Sequence, residues 1–447
     1  MRQVASTINA KLKILMLYLV AFALLWFGYA TFIVPIYGYM GFEWAPTGVK
    51  VVEALLAIVF FAFVLPVRVK RPSDFFLHVH FLLPVVPMLV LYSASDLPRA
   101  YMYFVLLAFA VVCWVRKFKL PIIKGDVIPI HIMMWGLLII AGIYILSIIM
   151  KGGLQYFNLN LLKVYEFRSL AAQNLPGICG YFSPMVSKVL LPFVLLLAVY
   201  RRKWLIAGLA ISGCVMMFAL TNHKGPLFYP FFIFGIYFVM RSRRPIQLLF
   251  AGYILVVLVS LTVFFIGYFG NIVPSLVLRR VYFVPANHNF IYYDFFSTHP
   301  HTMLSQSKLT FGLIQYPYNL DAAHLIGYHY FNNEQSGANT GWLGSGYMHF
   351  GFAGMLIYAS IVGLLLSIVD MCAKKRELSI SVAILVIPLM VIFQSSDLPT
   401  GMLTHSFLLA LFLTWSCRLK GRVVSSEPRK TTRFFEIAVR RCNHTPS

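Results

Sequence analysis

The stretch RRVYFVPANHNFIYYDFF, residues 279–296, sets two adjacent arginines ahead of a histidine, an aspartate and a run of aromatic rings. Arginine presents a planar fork of donors that matches phosphate oxygens, so Arg279 and Arg280 are candidates for clamping a lipid phosphate. The competing account is a helix end anchored by snorkelling side chains. A second basic segment, TNHKGPL at 221–227, places Pro226 where a helix would begin. The free amides and positive dipole of that first turn, beside His223 and Lys224, would make a small anion cradle. Here the alternative is a tight turn with one exposed lysine. Sugars need stacking faces and hydrogen-bonding side chains together, and Tyr282, Phe283, Asn287, His288, Asn289, Tyr292, Tyr293 and Asp294 supply both, with Asn339 and Trp342 further on. Packing at a bilayer interface is the other use for such rings.

The elements that must position these groups follow from composition. A chain of 447 residues that is 60% hydrophobic and only 11% charged is too apolar for a water-soluble globule. A helix needs about 20 apolar residues to cross a bilayer. Apolar runs lie near 14–35, 50–67, 75–93, 100–115, 128–149, 185–200, 204–222, 226–240, 246–269, 346–369, 378–394 and 402–417. The expected fold class is therefore an all-α polytopic membrane protein with about twelve transmembrane helices. Intramembrane prolines such as Pro192 and Pro230 are compatible with that, because neighbouring helices can satisfy the freed carbonyls.

Basic clusters follow every second run: Arg68, Lys70 and Arg71; Arg116, Lys117 and Lys119; Arg201, Arg202 and Lys203; Arg241, Arg243 and Arg244; Lys374, Lys375 and Arg376; Arg418, Lys420 and Arg422. Cytoplasmic loops retain Lys and Arg, so both termini are expected in the cytoplasm. The formal charge of +23 is then mainly topology and does not call for a nucleic-acid partner. The first run follows Lys11 and Lys13 and is long, which reads as a span rather than a cleaved leader. Residues 1–417 form the integral membrane domain, and 418–447 a basic cytoplasmic tail drawn to anionic lipid. Of six cysteines only Cys179 falls in an external loop, which excludes an internal disulfide on that side.

Two external loops are enlarged, at about 150–184 and 270–345, and long connections in a compact architecture usually carry function. In the first, Leu154, Phe157, Leu161 and Tyr165 recur at helical spacing opposite Asn158, Lys163 and Glu166, as in an amphipathic helix on the membrane surface. The second shows no sustained period but is rich in aromatics, as expected of a folded cap. Ser345, Gly346, Gly351 and Gly354 would allow close helix packing. Asp397, with Gln394 and His405, makes a further polar patch to which no role is assigned.

Three segments, TNHKGPL, RRVYFVPANHNFIYYDFF and ANTGWLGSGYMHFGFAG at 338–354, resemble segments of the Wzy-type O-antigen and oligosaccharide repeat-unit polymerases. Span number, orientation and the two enlarged loops are similar to that family's layout over nearly the whole chain. The resemblance implies a C-type glycosyltransferase-like enzyme of the bacterial inner membrane with its active site facing the periplasm. It would transfer a glycan from undecaprenyl diphosphate to another lipid-linked repeat unit. Arg279, Arg280, Lys224, Arg168 and His223 would then hold the diphosphate as charge develops on it. The acceptor hydroxyl wants a base, for which His288 comes first, then Asp294 and Glu166. Tyr282, Asn287, Asn289, Tyr292, Tyr293, Asn339 and Trp342 would contact sugar. There is no DxD pair, and His299, His301, His324 and His329 lack a ligand spacing, so neither metal nor cofactor is expected. The implied partners are the undecaprenyl-diphosphate-linked oligosaccharide, the bilayer and a chain-length regulator protein. An O-antigen ligase acting on lipid A-core is the neighbouring alternative. A polysaccharide or lipid-sugar transporter is less favoured, since Glu53 and a few histidines are the only ionisable groups noted within spans and no repeat is visible.

Overall fold

A computed structural model describes residues 2–121, 125, 127–160, 164, 178–267, 270–307, 310–373 and 377–419. Glu166, Arg168, much of the expected surface helix and the basic tail lie outside the described residues.

All twelve apolar runs fall on helices. Eight are long and apolar enough to cross a membrane: α1 (Ser6–Met40), α3 (Pro72–Ala94), α5 (Ile130–Met150), α6 (Tyr181–Tyr200), α7 (Trp204–Thr221), α9 (Pro245–Ile266), α12 (Trp342–Ala373) and α14 (Leu398–Ser416). Four more helices, α2 (Gly48–Val64), α4 (Arg99–Val115), α8 (Gly225–Arg241) and α13 (Leu378–Gln394), have 17 residues each. At about 1.5 Å per residue these fall just short of a 30 Å hydrocarbon core. The protein is thus a multi-pass all-α membrane protein. The only strand pairing among the described residues is a parallel bridge between Ile128–Pro129 and Cys417–Arg418.

Helix α3 is the axis of the bundle. Its apolar window is 94% buried, and α1, α2, α4, α9, α12 and α13 pack around it. With no water to satisfy backbone groups, helices are the natural state of such segments. Four of them widen into π-helix, at Tyr29–Ile33, Phe81–Val85, Val186–Leu190 and Ser275–Phe283. Each is followed within two residues by a proline: Pro35, Pro87, Pro192 and Pro285. A proline lacks the N–H that would bond the carbonyl four residues back, and its ring crowds that carbonyl; widening the turn relieves the clash. The freed carbonyl ahead of Pro285 is that of Val281, and Gln394 Nε2 donates to it at 2.9 Å.

Polar contacts gather at the two ends of the bundle. At the end richer in basic residues, Arg116 donates to Asp74 and to Ser73 Oγ, both at 2.7 Å. Ser73 donates in turn to Asp370, from N at 2.9 Å and Oγ at 2.6 Å, and Arg71 lies 3.4 Å from the same carboxylate. Arg241 pairs with Glu377 at 3.0 Å at this end too. At the opposite end Lys50 pairs with Asp96 at 2.8 Å, and Tyr29 donates to the Glu43 carbonyl at 2.8 Å.

Two findings depart from the sequence expectation. The region 270–345 is not chiefly a cap: Ser275–Phe283 runs directly into α10 (Val284–Thr298), and this helix packs against α3 and α12 with Leu278, Tyr282, Ala286 and Phe290 buried. A further helix, α11 (Ala322–Phe331), packs against α10. Second, α12 is not straight. Phe350 (φ −143°) and Gly351 (φ +61°) break it, and a Cβ on Gly346 would lie 3.0 Å from the Gly354 carbonyl oxygen. Eight residues span about 12 Å along a straight helix, so Trp342–His349 folds back on the segment that follows. The glycines expected to aid ordinary packing instead permit this reversal.

Candidate functional site

The widened helix 275–298 sets the register of the candidate residues. Arg279 Nε donates to Ser275 Oγ at 2.9 Å, its guanidinium lies 4.5 Å from the Tyr37 ring centroid, and Nη1 is 3.7 Å from Met40 Sδ. Asn287 Nδ2 reaches the Met40 carbonyl at 3.5 Å. Arg279 and Asn287 therefore face the same neighbour although eight residues apart, a spacing that in a regular α-helix would leave them about 80° out of line. The π turns close that gap.

Arg280 is exposed and His288 is 8% exposed. The His288 ring is fixed by one bond: Nδ1–H donates to the Asn339 carbonyl at 2.7 Å, which leaves the lone pair on Nε2. Among the described residues no group pairs with Nε2. Burial lowers the imidazole's pKa below its ordinary value, with the Asn339 carbonyl partly opposing, so the ring is neutral at pH 7. This is the state a proton acceptor needs.

Tyr292, one turn beyond His288, is buried, and its phenol is pushed up by burial and then by the charges of Asp321 and Asp397. Asp397 was noticed in the sequence without a role. It caps α14 by accepting from Leu398 N at 2.8 Å, accepts from Tyr358 OH at 3.2 Å, and lies 3.3 Å from His349 Nε2. His349 Nδ1 accepts from Leu304 N at 3.1 Å, so Nε2 carries the proton that Asp397 receives. Both nitrogens are engaged, and His349 ties residues 302–304 to the folded-back helix.

The basic turn before α8 reaches the same end of the bundle. Lys224 is the residue capping α8, half-buried, with Pro226 in the first turn and His223 exposed. Because α8 packs on α13 with Arg241 beside Glu377 at their far ends, the Lys224 end lies beside Gln394, the residue that holds the Val281 carbonyl next to Arg280. Both basic segments thus lie toward the Gln394 end of α13.

Asp294 accepts from Tyr330 OH and is turned about 120° from His288 around the helix. Tyr293 packs between Tyr101 and Tyr347, with centroids at 4.8 and 4.9 Å. Three of the expected sugar contacts are buried inside the bundle. Tyr282 is buried against Tyr253 at 5.0 Å. Trp342 is fully buried and donates from Nε1 to His80 Nε2 at 3.2 Å. Asn289 spends both ends of its amide inside, donating to the Pro285 carbonyl at 2.7 Å and accepting from Gly344 N at 2.9 Å. Trp342 thereby ties α12 to α3, and Asn289 ties α10 to α12. Asn339 is exposed beside His288. Glu166 and Arg168 lie outside the described residues.

Lys188 was missed. It sits within α6 among apolar neighbours, and one basic residue in MVSKVLLPFV is easily absorbed into a hydropathy average. The signal available was the rule that an ionisable side chain at membrane depth is rarely idle.

No protein family matches the chain, no curated protein matches it, and no solved structure matches it.

Proposed function

We propose that the protein is a glycosyltransferase that joins undecaprenyl-diphosphate-linked oligosaccharide repeat units into a surface polysaccharide. The observation that supports this reading is that one widened helix carries Arg279, Arg280 and His288, with the His288 ring held by the Asn339 carbonyl and the helix itself held by Gln394. In this account the chain crosses the bacterial inner membrane twelve times with the Arg116 end in the cytoplasm and the His288 end in the periplasm.

The reaction needs little more than these groups. Arg280, Arg279 and Lys224 hold the donor diphosphate and stabilise the negative charge that grows as the bond from anomeric carbon to phosphate oxygen breaks. The acceptor hydroxyl oxygen forms the new bond to that carbon, and its proton passes to Nε2 of His288. Undecaprenyl diphosphate leaves, carrying the electron pair. A fixed diphosphate site beside a neutral imidazole performs this without a metal or cofactor, and extension is then limited by a chain-length regulator.

Arg280→Ala tests the reading in a bacterium that depends on this protein. The variant should remain in the membrane while the surface glycan is reduced to single repeat units. Full polymer that accumulates on its carrier and fails to reach lipid A would instead identify a ligase.

A further inference from the structure

The bundle holds a second arrangement of donors away from the helix 275–298. Pro192 widens α6 into π-helix at Val186–Leu190, and Lys188 projects from that bulge. Facing it, α14 is broken: helix Leu398–Leu403 ends, Ser406 adopts φ +72°, and helix resumes at Phe407. His405 lies in the break, and Lys188 Nζ donates to its Nδ1 at 2.9 Å. Nδ1 must then carry the lone pair, because an ammonium only donates, so Nε2 carries a proton. The remaining ammonium hydrogens and the Nε2–H find no acceptor among the described residues, and no carboxylate there lies within ion-pair distance of Lys188.

Lys188 is 12 residues from Tyr200 along a 20-residue span, about 18 Å from that end, where an unmatched cation is expensive. A π bulge in one membrane helix and a break in the helix facing it, each at one member of a pair that offers only donors, describe a site suited to an anion. Broken helices at membrane depth commonly serve this purpose. The π stretch packs against α8 and α13, the two helices whose ends carry Lys224 and Gln394. We infer that Lys188 and His405 form an anion site, within the bundle, for the phosphate groups of a membrane lipid. Resting on the function proposed above for the identity of that lipid, the occupant is the diphosphate of the undecaprenyl carrier.

The full-length protein, purified in detergent, is incubated with undecaprenyl diphosphate bearing no sugar, with phosphatidylglycerol and with inorganic diphosphate, and retained ligand is measured by native mass spectrometry. Wild type should retain a second carrier beyond the one held at Arg279, Arg280 and Lys224; Lys188→Met should lower that second occupancy at least tenfold, and Lys188→Arg should recover most of it. The melting temperature of Lys188→Met should not fall, because the change removes a charge without opening a cavity. Phosphatidylglycerol retained with the same dependence on Lys188 would support the site with a general lipid phosphate as occupant. Equal retention by wild type and Lys188→Met, or equal retention of inorganic diphosphate, would overturn it. No sugar is transferred in this experiment, so its outcome is independent of whether polymerisation is the reaction; a Lys188-dependent signal from a protein that never polymerises would leave this site standing and remove the function.

Discussion

Replacing His288 separates chemistry from architecture in this protein. Its Nδ1 is bonded to a backbone oxygen, and its Nε2 is the atom assigned to receive the acceptor proton. Loss of a positioned base lowers turnover by about 10²–10⁴, equivalent to about 3–5 kcal/mol at the transition state. Burial weakens the imidazole as a base, which places His288→Ala toward the lower end of that range. The pH profile adds a sign. The folded protein favours the neutral ring, so the pKa lies below the ordinary 6.5, and the active form persists as the pH falls to that point. The stability gained from this depression is present above pH 6.5 and lost as pH falls toward the folded pKa. Measured as initial rates of glycan extension by the purified protein, the wild type should show an acidic limb below pH 6.5 that His288→Ala lacks. Asn339→Ala preserves the carbonyl that orients the ring and should keep the limb. An identical acidic limb in wild type and His288→Ala would refute the assignment of the base.

Other consequences are separable by assay. Arg280→Ala and Arg279→Ala should each reduce polymerisation while the protein stays in the membrane; full-length polymer from either variant would argue against a cationic site on the helix 275–298. Arg116→Ala leaves Asp74 buried beside Ser73 without its cation and should destabilise the protein by about 3–5 kcal/mol, read as a loss of melting temperature in detergent. A Cβ on Gly354 would lie 2.0 Å from the Gly346 carbonyl oxygen, so Gly354→Val should cost about 1–3 kcal/mol as overpacking at the reversal, and a variant with wild-type stability would dispute the folded-back helix.

Hydropathy made much of the bundle legible, because lipid forces backbone groups to pair within each segment and leaves apolar length as the dominant signal. The same signal failed where polar residues are buried. Arg279, Asn287, His288 and Asn289 depress the hydropathy of 275–298, yet the segment packs against α3 because Leu278, Tyr282, Ala286 and Phe290 supply an apolar stripe. A π-helical register distorts even that stripe, since side chains eight residues apart fall into line. The arginine pair and His288 stand out by residue type alone. The π register of their helix does not, because it depends on Pro285 and on Gln394, more than a hundred positions downstream. Trp342 and Asn289 have the side chains of sugar binders, and only packing shows them turned inward. Lys188 is the converse, a single charge in an apolar run whose meaning rests on a break in a distant helix.

The central claim is most directly tested by supplying the purified protein, in a bilayer nanodisc, with one synthetic undecaprenyl-diphosphate-linked repeat unit. The account predicts a ladder of products lengthened by whole repeat units, with release of undecaprenyl diphosphate, that collapses to the starting unit in Arg280→Ala. A substrate left unextended by wild-type protein that still binds it would contradict the account.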